Sequence, residues 1–500
     1  MNIFGLNISR SKPTTPSQAP RQIVVVNRGY AAAEGGRLFA DWKLDNGYEP
    51  RTIAKQLPTM VGRSREQSKN NPWVRKLLSM YRLNVVGHTG FRFRATATDS
   101  NGTLDEYANR ELEREFRVWR ENPLYCDASG RKTFRDICNL ATTALVRDGE
   151  DIVRLLPGHR WPENPYAFSL KMYCSTAMDT SLVSDGSRDG RTIINGVEID
   201  TWGRPLGYWF RKDGGVTLFP SVIAAPTSAH EYIPAEQIVH IYAADWEDQY
   251  RGIPWLYSTL PRLKHLDGYE EAELVAARED ACSTGQYAIA TGADYEPGDN
   301  YDKAVASLGD VAPGTREILP EGVTFTKQAP TRPNGAFPDF DKAMLRGVAS
   351  GGLVDYNTLS NDLEGVSFSS IRQGVLSWRD AAMDTQQLMI DHLCKRVYLA
   401  WLGIYLTTGR SNLPFAKLGK FAHHEWRGRR WMWVDPRNDA QSNEIQRKYG
   451  WKTDADITAE IGGDWEANAA ETKRLEAAAN GTYLEQNYAE AQAAEQPRNV

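Results

Sequence analysis

A chain of 500 residues, 41% apolar and 25% charged, can bury a large core and exceeds what one compact domain usually holds. It has no run of about 18 apolar residues, which excludes a transmembrane helix, and the start Met1-Asn2-Ile3-Phe4-Gly5-Leu6 turns polar too soon for a signal peptide, so synthesis in the cytosol is expected. With 59 Lys and Arg against 64 Asp and Glu, the net charge of −5 argues against a surface that grips nucleic acid all over, though not against one past which a polyanion slides.

Residues 1–30 mix Ser, Pro, Thr and Gln around a short Ile23–Val26 run and read as a mobile arm. Asn71 is placed to cap a helix whose first turn holds Pro72. Leu104–Arg120 and Thr133–Arg147 read as amphipathic helices. Asp148-Gly149 then turns into a short strand, Asp151–Leu156. Further strands are expected at Phe168–Tyr173, Ile193–Ile199, Leu206–Phe210 and Ile238–Tyr242, with a turn at Thr201-Trp-Gly-Arg-Pro.

The pattern changes after Ile253-Pro254-Trp255. Leu260–Ser283 is a continuous helical pattern, about 35 Å long at 1.5 Å per residue. One stripe is small (Ala272, Ala276, Ala277, Ala281) and would let a neighbouring helix approach closely. Another is acidic: Asp267, Glu270, Glu271, then Glu279-Asp280. Tyr287-Ala-Ile-Ala, Arg316-Glu-Ile-Leu and Val323-Thr-Phe-Thr read as strands around Pro-Gly turns. A second helix, Phe337–Val348, carries Phe337, Phe340, Met344 and Val348 on one face and ends at Gly351-Gly352.

A polar segment follows, then the longest helix, about Ser369–Thr407, with apolar steps at Ile371, Val375, Trp378, Ala382, Leu393 and Val397. After a Gly-rich turn, Trp431-Met-Trp-Val-Asp-Pro closes a strand. Residues 436–475 read as polar helices broken at Gly462-Gly463, and 476–500 as a solvated tail. A helix, a β-rich insertion and a second helix inside a larger α/β body suggest a projecting stalk with a small head.

Catalytic signatures are missing. There is no phosphate-cradling Gly-x-x-x-x-Gly-Lys-Ser/Thr loop and no Gly-x-Ser-x-Gly elbow. Adjacent His423-His424 would point to opposite faces of a strand. The five cysteines, Cys126, Cys138, Cys174, Cys282 and Cys394, lack metal-ligand spacing and read as buried free thiols. Two acidic sets, Asp148-Gly-Glu-Asp151 and Asp339-Phe-Asp341, are weighed for Mg²⁺ and nuclease chemistry, with a turn and a helix start as their plainer readings. Trp73, Trp119, Trp202, Trp209, Trp255, Trp378 and Trp401 lie in apolar patterns and are expected in cores and interfaces. No catalytic residue, metal or cofactor is expected.

Several segments, in this order, resemble the lambda-type phage portal protein family, from about residue 60 to 475. They are Asn70-Asn-Pro-Trp-Val-Arg with Asn84-Val-Val-Gly; Asp148-Gly-Glu-Asp-Ile-Val-Arg; Ile233-Pro-Ala-Glu-Gln-Ile-Val-His-Ile-Tyr with Tyr250-Arg-Gly-Ile-Pro-Trp; Asp355-Tyr-Asn-Thr-Leu-Ser-Asn-Asp-Leu-Glu-Gly-Val-Ser-Phe-Ser-Ser-Ile-Arg; and Trp431-Met-Trp-Val-Asp-Pro. The resemblance implies an α+β portal fold: arm 1–30, α/β wing 31–252, stem helices 253–283 and 337–353, clip 284–336, tunnel loop 354–368, long wing helix and return 369–435, crown 436–475 and tail 476–500.

It implies a non-enzymatic ring of about twelve subunits at one capsid vertex. Double-stranded DNA would pass without sequence preference, and no membrane would be involved. Implied partners are further copies of the chain, the terminase large subunit, a head–tail connector, the major capsid protein and scaffold. The protein would be made in the host bacterial cytoplasm and end in the virion. Asn361, Asp362, Leu363 and Glu364 would lie nearest the axis. The alanine stripe would pack stem helices, and some of Asp267, Glu270 and Glu271 would face the channel and repel phosphate, a solvated outer face or inter-subunit ion pairs being the alternative. A metal-dependent nuclease and a non-channel minor capsid protein are the competing functions.

Overall fold

The computed structural model describes residues 2–3, 6–7, 49–160, 164–184, 191–212, 230–282, 286–289, 323–326, 335–432, 435–463 and 465–478. The chain divides into two units, Met1–Gly47 and Tyr48–Val500. In the first, β1 (Asn2–Ile3) pairs antiparallel with β2 (Leu6–Asn7). The rest of the expected arm, most of the expected clip and residues 479–500 lie outside the described residues.

The second unit opens with a helix for which the sequence raised no expectation, α1 (Pro50–Asn70). Ile53, Leu57 and Val61 recur every four residues, so they share one face, which packs against Ile253. Helix α2 (Pro72–Val85) starts where Asn71 dictates: its side-chain oxygen accepts from the backbone N–H of Trp73 (2.9 Å) and Val74 (3.1 Å). After β3 (Arg92–Ala95) come α3 (Glu106–Glu121), the single turn α4 (Pro123–Cys126) and α5 (Phe134–Asp148). A reciprocal Thr133–Asp136 capping box starts α5, and Gly149 at φ 91° ends it.

Two antiparallel sheets follow. One has the order β10-β4-β5 and the other β6-β7-β8-β9. Their strands are β4 (Glu150–Pro157), β5 (Phe168–Tyr173), β6 (Thr192–Ile194), β7 (Val197–Ile199), β8 (Pro205–Arg211), β9 (His230–Pro234) and β10 (Ile238–Tyr242). The expected single strand Ile193–Ile199 is corrected to two. Asn195 and Gly196 both have positive φ (51° and 87°), the hairpin geometry that Asn-Gly favours, and they reverse the chain between β6 and β7.

Helix α6 (Leu260–Cys282), the strand pair β11 (Gln286–Ile289) and β12 (Val323–Thr326), and α7 (Phe337–Gly351) come next, with β11 and β12 antiparallel. Within the expected polar loop sits a short helix, α8 (Tyr356–Ser360), capped by Asp355. The long helix is α9 (Phe368–Met389), a π segment Ile390–Cys394 and α10 (Lys395–Tyr405). The short α11 (Leu418–Phe421) precedes β13 (His424–Arg427), which pairs with β3. Of the segment Trp431–Pro436 expected to close a strand, Trp431 and Met432 lie in no strand and residues 433–434 lie outside the described residues; the strand seen is the earlier β13. Helices α12 (Pro436–Lys448), α13 (Asp454–Glu460) and α14 (Trp465–Ala478) follow, the last two separated by Gly462-Gly463.

The main core joins α2, α3, α5, β4, β5 and β10 to the first turns of α6, the end of α7 and the long helix. Its aromatic centre is Phe116, Trp119, Tyr398 and Trp401, with Trp119 donating to the Phe168 carbonyl at 2.9 Å. The expectation that the cysteines are buried fails at Cys174, whose thiol is exposed, whereas Cys126, Cys138 and Cys394 are buried. Trp202 is 92% exposed on the Asp200–Arg204 turn, outside the core. The Cys282 side chain lies outside the described residues.

A charged network holds the body to the segment that leads into α6. Glu150 and Arg251 are each about 1% exposed. Arg251 Nε donates to both Glu150 oxygens at 3.0 Å, and its other nitrogens reach the carbonyls of Asn195 (2.8 Å) and Ser175 (3.2 Å). His240 Nε2 lies 3.0 Å from Glu150 Oε2, and the Gly252 N–H donates to it at 2.9 Å. Burial pushes the Glu150 carboxyl up, but the charge of Arg251 and the hydrogen bonds outweigh it and hold the pKa at about 2. The backbones touch at the same place: a Cβ on Gly149 would lie 2.2 Å from the Ile253 carbonyl carbon, and one on Gly252 would lie 2.1 Å from the Gly149 oxygen.

Arg251→Met leaves the Glu150 carboxylate buried without its main partner and is expected to cost about 3–5 kcal/mol in denaturant unfolding at pH 7. Because the folded pKa of Glu150 is depressed, its contribution is present above pH 4.5 and lost as the pH falls toward 2. The cost of the variant should shrink over that window; a cost unchanged between pH 7 and 3 would contradict the assignment.

Candidate functional site

The site expected from the sequence is the α6–α7 helical hairpin with the polar loop behind it. Leu260, Leu263 and Leu266 anchor the first turns of α6, and Leu345, Val348 and Ala349 anchor the end of α7. On the face carrying Phe337, Phe340, Met344 and Val348, both phenylalanine rings meet Tyr269 on α6, at 5.8 and 4.7 Å between ring centres, with Phe340 still 42% exposed. Small residues set the spacing. A Cβ on Gly347 would meet the Arg262 guanidinium, and one on Gly351 would meet Thr259. Gly352 lies against Leu77, and its carbonyl accepts from the Tyr81 hydroxyl at 3.1 Å, which fixes the end of α7 to α2.

The three acidic candidates separate. The Asp267 carboxylate accepts from Asn71 Nδ2 (2.8 Å) and Gln67 Nε2 (3.3 Å). Asn71 thus caps α2 with its oxygen and ties α6 to the α1–α2 junction with its nitrogen. Glu270 is half-buried, and its pKa is raised by burial first, then by Asp341 across the hairpin and by Asp267. Burial also raises Asp341, whose Oδ1 is buried without a partner. Glu271 is exposed. Of the alanine stripe, Ala272 and Ala277 are exposed and Ala276 is half-buried, while Ala281 lies on the helix beyond the described side chains. Leu274 (53% exposed) and Val275 are uncovered beside them.

The loop candidates also separate. Asn361 ends α8 at φ 57° and accepts from Lys76 Nζ at 2.7 Å. Asp362 accepts from the Tyr356 hydroxyl (3.1 Å) and lies 3.4 Å from Lys342 Nζ on α7. Its pKa is lowered, first by the Glu364 N–H that it accepts, then by Tyr356. Leu363 is 62% exposed and Glu364 is exposed as well. The loop is pinned at its first two residues and presents the next two.

The first acidic set considered for metal chemistry is occupied by arginines. Asp148 receives two forked guanidinium contacts, from Arg65 (2.9 and 2.8 Å) and from Arg147 (2.8 Å twice). Asp151 is buried with one oxygen unpartnered, and burial raises its pKa to about 7. Among the described residues no group of three or more His, Cys, Asp or Glu side chains is arranged to hold a metal ion. No described helix is long and apolar enough to cross a membrane. The interlocking of Glu150, Arg251 and His240 escaped sequence reading, since its members lie far apart in the chain.

The described chain is a mixed helix-and-sheet body with a helical hairpin and a pinned polar loop. Residues 35–386 match the family described as phage portal protein, lambda family. The chain is 32% identical to the "Probable portal protein" of Halomonas phage phiHAP-1, covering 89% of this chain and 85% of that protein. It is 21% identical to portal protein B of Escherichia phage lambda, covering 92% of each. A solved chain from the neck of an empty GTA particle, computed with C6 symmetry, is 12% identical with a TM-score of 0.49, covering 82% of this chain and 94% of that one. The chain belongs to the lambda family of phage portal proteins.

Glu270→Gln tests the hairpin electrostatics. A carboxyl whose folded pKa is raised disfavours the fold once ionised; the penalty is absent below pH 4.5 and grows as the pH rises through the folded value. The variant is expected to melt a few degrees higher than the parent at pH 7 and equally at pH 4. A lower melting temperature at pH 7 would contradict this account.

Proposed function

We propose that about twelve copies of the chain close into a ring at one vertex of a phage capsid, and that double-stranded DNA enters and leaves through its centre. The observation that carries the reading is the family match over residues 35–386, which includes the hairpin and the polar loop. In this reading residues 31–252 and 369–435 are the wing, and 253–283 and 337–353 the stem. Residues 284–336 form the clip, 354–368 the tunnel loop and 436–475 the crown. The clip meets the terminase large subunit during packaging and the head–tail connector afterwards. The major capsid protein and scaffold surround the ring, and the ring performs no catalysis of its own.

The exposed alanines support a helix–helix contact between subunits, because small side chains permit close approach and Leu274 and Val275 would otherwise stay in water. Among the acidic candidates, Glu271 is the one left free to face the channel; Asp267 and Glu270 are turned to the body and to α7. A carboxylate lining a passage repels phosphate and lets DNA slide. Leu363 and Glu364 are the loop residues that reach toward the axis, held out by the anchors of Asn361 and Asp362.

Native mass measurement and negative-stain imaging of the purified chain are expected to give a closed ring with a central hole; monomers or open chains would contradict the proposal. The double substitution Leu363→Gly with Glu364→Ala should leave the ring intact and lower DNA retention in packaged heads severalfold. Normal retention would remove the loop from the passage.

A further inference from the structure

Four arginines converge on one cleft away from the hairpin. Arg92 comes from β3, Arg379 from α9, and Arg429 and Arg430 from the turn after β13. The cleft encloses about 610 Å³ between the body and the Ile461-Gly462 turn. Trp431 stands among the cations, its ring 5.5 Å from the Arg379 guanidinium and 5.9 Å from that of Arg429, and its indole N–H is fixed on Asn84 at 2.8 Å. Among the described residues none of the four arginines has a carboxylate within ion-pair distance. Arg430 donates to the Met383 thioether, a weak acceptor, and Arg92 to the Gly462 carbonyl. Arg379 reaches the Met432 carbonyl at 3.4 Å, while its Nε is buried without a partner. Burial lowers the pKa of Arg379 and of Arg429, and in Arg379 the nearby charge of Arg429 lowers it further.

Elsewhere in the body Arg65 and Arg147 share the buried Asp148 carboxylate, and Arg251 pairs with the buried Glu150. Four positive charges thus share one cleft with no carboxylate paired to any of them among the described residues, although Asp439 acts on Arg379 at longer range and Arg429 also donates to the Leu83 carbonyl and Asn84 Oδ1. We propose that the cleft binds the phosphate backbone of duplex DNA. The planar guanidinium fork matches phosphate oxygens. The choice of DNA rests on the ring reading; the cleft itself lies within one protomer.

The test measures fluorescence anisotropy of a labelled 24-base-pair duplex with full-length protein, as assembled ring and as separated protomer, from 50 to 200 mM NaCl. The variants are the double change Arg379→Gln with Arg430→Gln, Arg430→Gln alone, and Arg110→Gln with Arg114→Gln on α3 as control. Each phosphate contact contributes about 0.9 to the salt slope, so losing two should lower it by about 1.8 and leave the double variant roughly tenfold less salt-sensitive over this range. Arg430→Gln should remove about half of that slope, and it keeps the test available if the double variant does not fold. The control should match the parent. Equal slopes for the parent and both cleft variants overturn the proposal. So does loss of ring assembly with unchanged DNA binding, which would assign the arginines to a neighbouring subunit. Binding by protomers that never form rings would retain this cleft while overturning the ring.

Discussion

Glu150 and Arg251 form a buried ion pair on which the placement of the hairpin depends. Each ion would carry a large desolvation penalty alone, and the penalty is offset by their mutual attraction and by further hydrogen bonds from His240 and the Gly252 N–H and to the carbonyls of Asn195 and Ser175. These partners come from β10, the β6–β7 turn and the segment after β5, so the pair registers both sheets against one point. The glycines beside it matter as much. Gly149 and Gly252 are in backbone contact, and any side chain at either would push Arg251 away from its partner.

From that point the chain runs directly into α6. The first turns of α6 are buried, and Asn71 grips Asp267 from the α1–α2 junction. The return helix α7 is fixed at its other end through Gly352 to Leu77 and Tyr81. Both ends of the hairpin therefore stand on α2 and the sheet. Beyond Leu266 the described side chains of α6 are half-buried or exposed: Tyr269 meets α7, while Leu274 and Val275 are exposed. A hairpin rigid at its base, with apolar side chains exposed farther along, is suited to packing against copies of itself. The loop behind it follows the same plan, with Asn361 and Asp362 as anchors and Leu363 and Glu364 as the presented pair.

The sequence revealed the elements whose signals are local. Asn71 with Pro72, and Thr133 with Asp136, fix helix starts through hydrogen bonds within four residues. Phe168–Tyr173 and Ile238–Tyr242 are short apolar runs bounded by turns, and both strands fall on the expected residues. Helix α1 was missed because Ser64 and Gln67 share its buried face and Pro58 lies inside it, so its apolar stripe is thin. The Trp431 strand failed because its aromatic residue packs among guanidinium groups instead of in a ladder. The charge network was out of reach for a different reason. Glu150 read as part of a turn, and nothing local says that Arg251, about a hundred residues on, closes over it. The separation of Asp267, Glu270 and Glu271 likewise depends on Asn71 and Asp341, which only the folded chain brings near.

The central claim is that the hairpin built on this clamp lines the passage. A cryo-electron microscopy structure of the assembled particle, at a resolution that shows side chains, tests it most directly. The account predicts α6 and α7 around the axis, Ala272, Ala276 and Ala277 against the neighbouring subunit, and Glu271 with Leu363 and Glu364 facing the lumen. A hairpin on the outer rim, with the alanine stripe in solvent and residues 361–364 away from the axis, would contradict it.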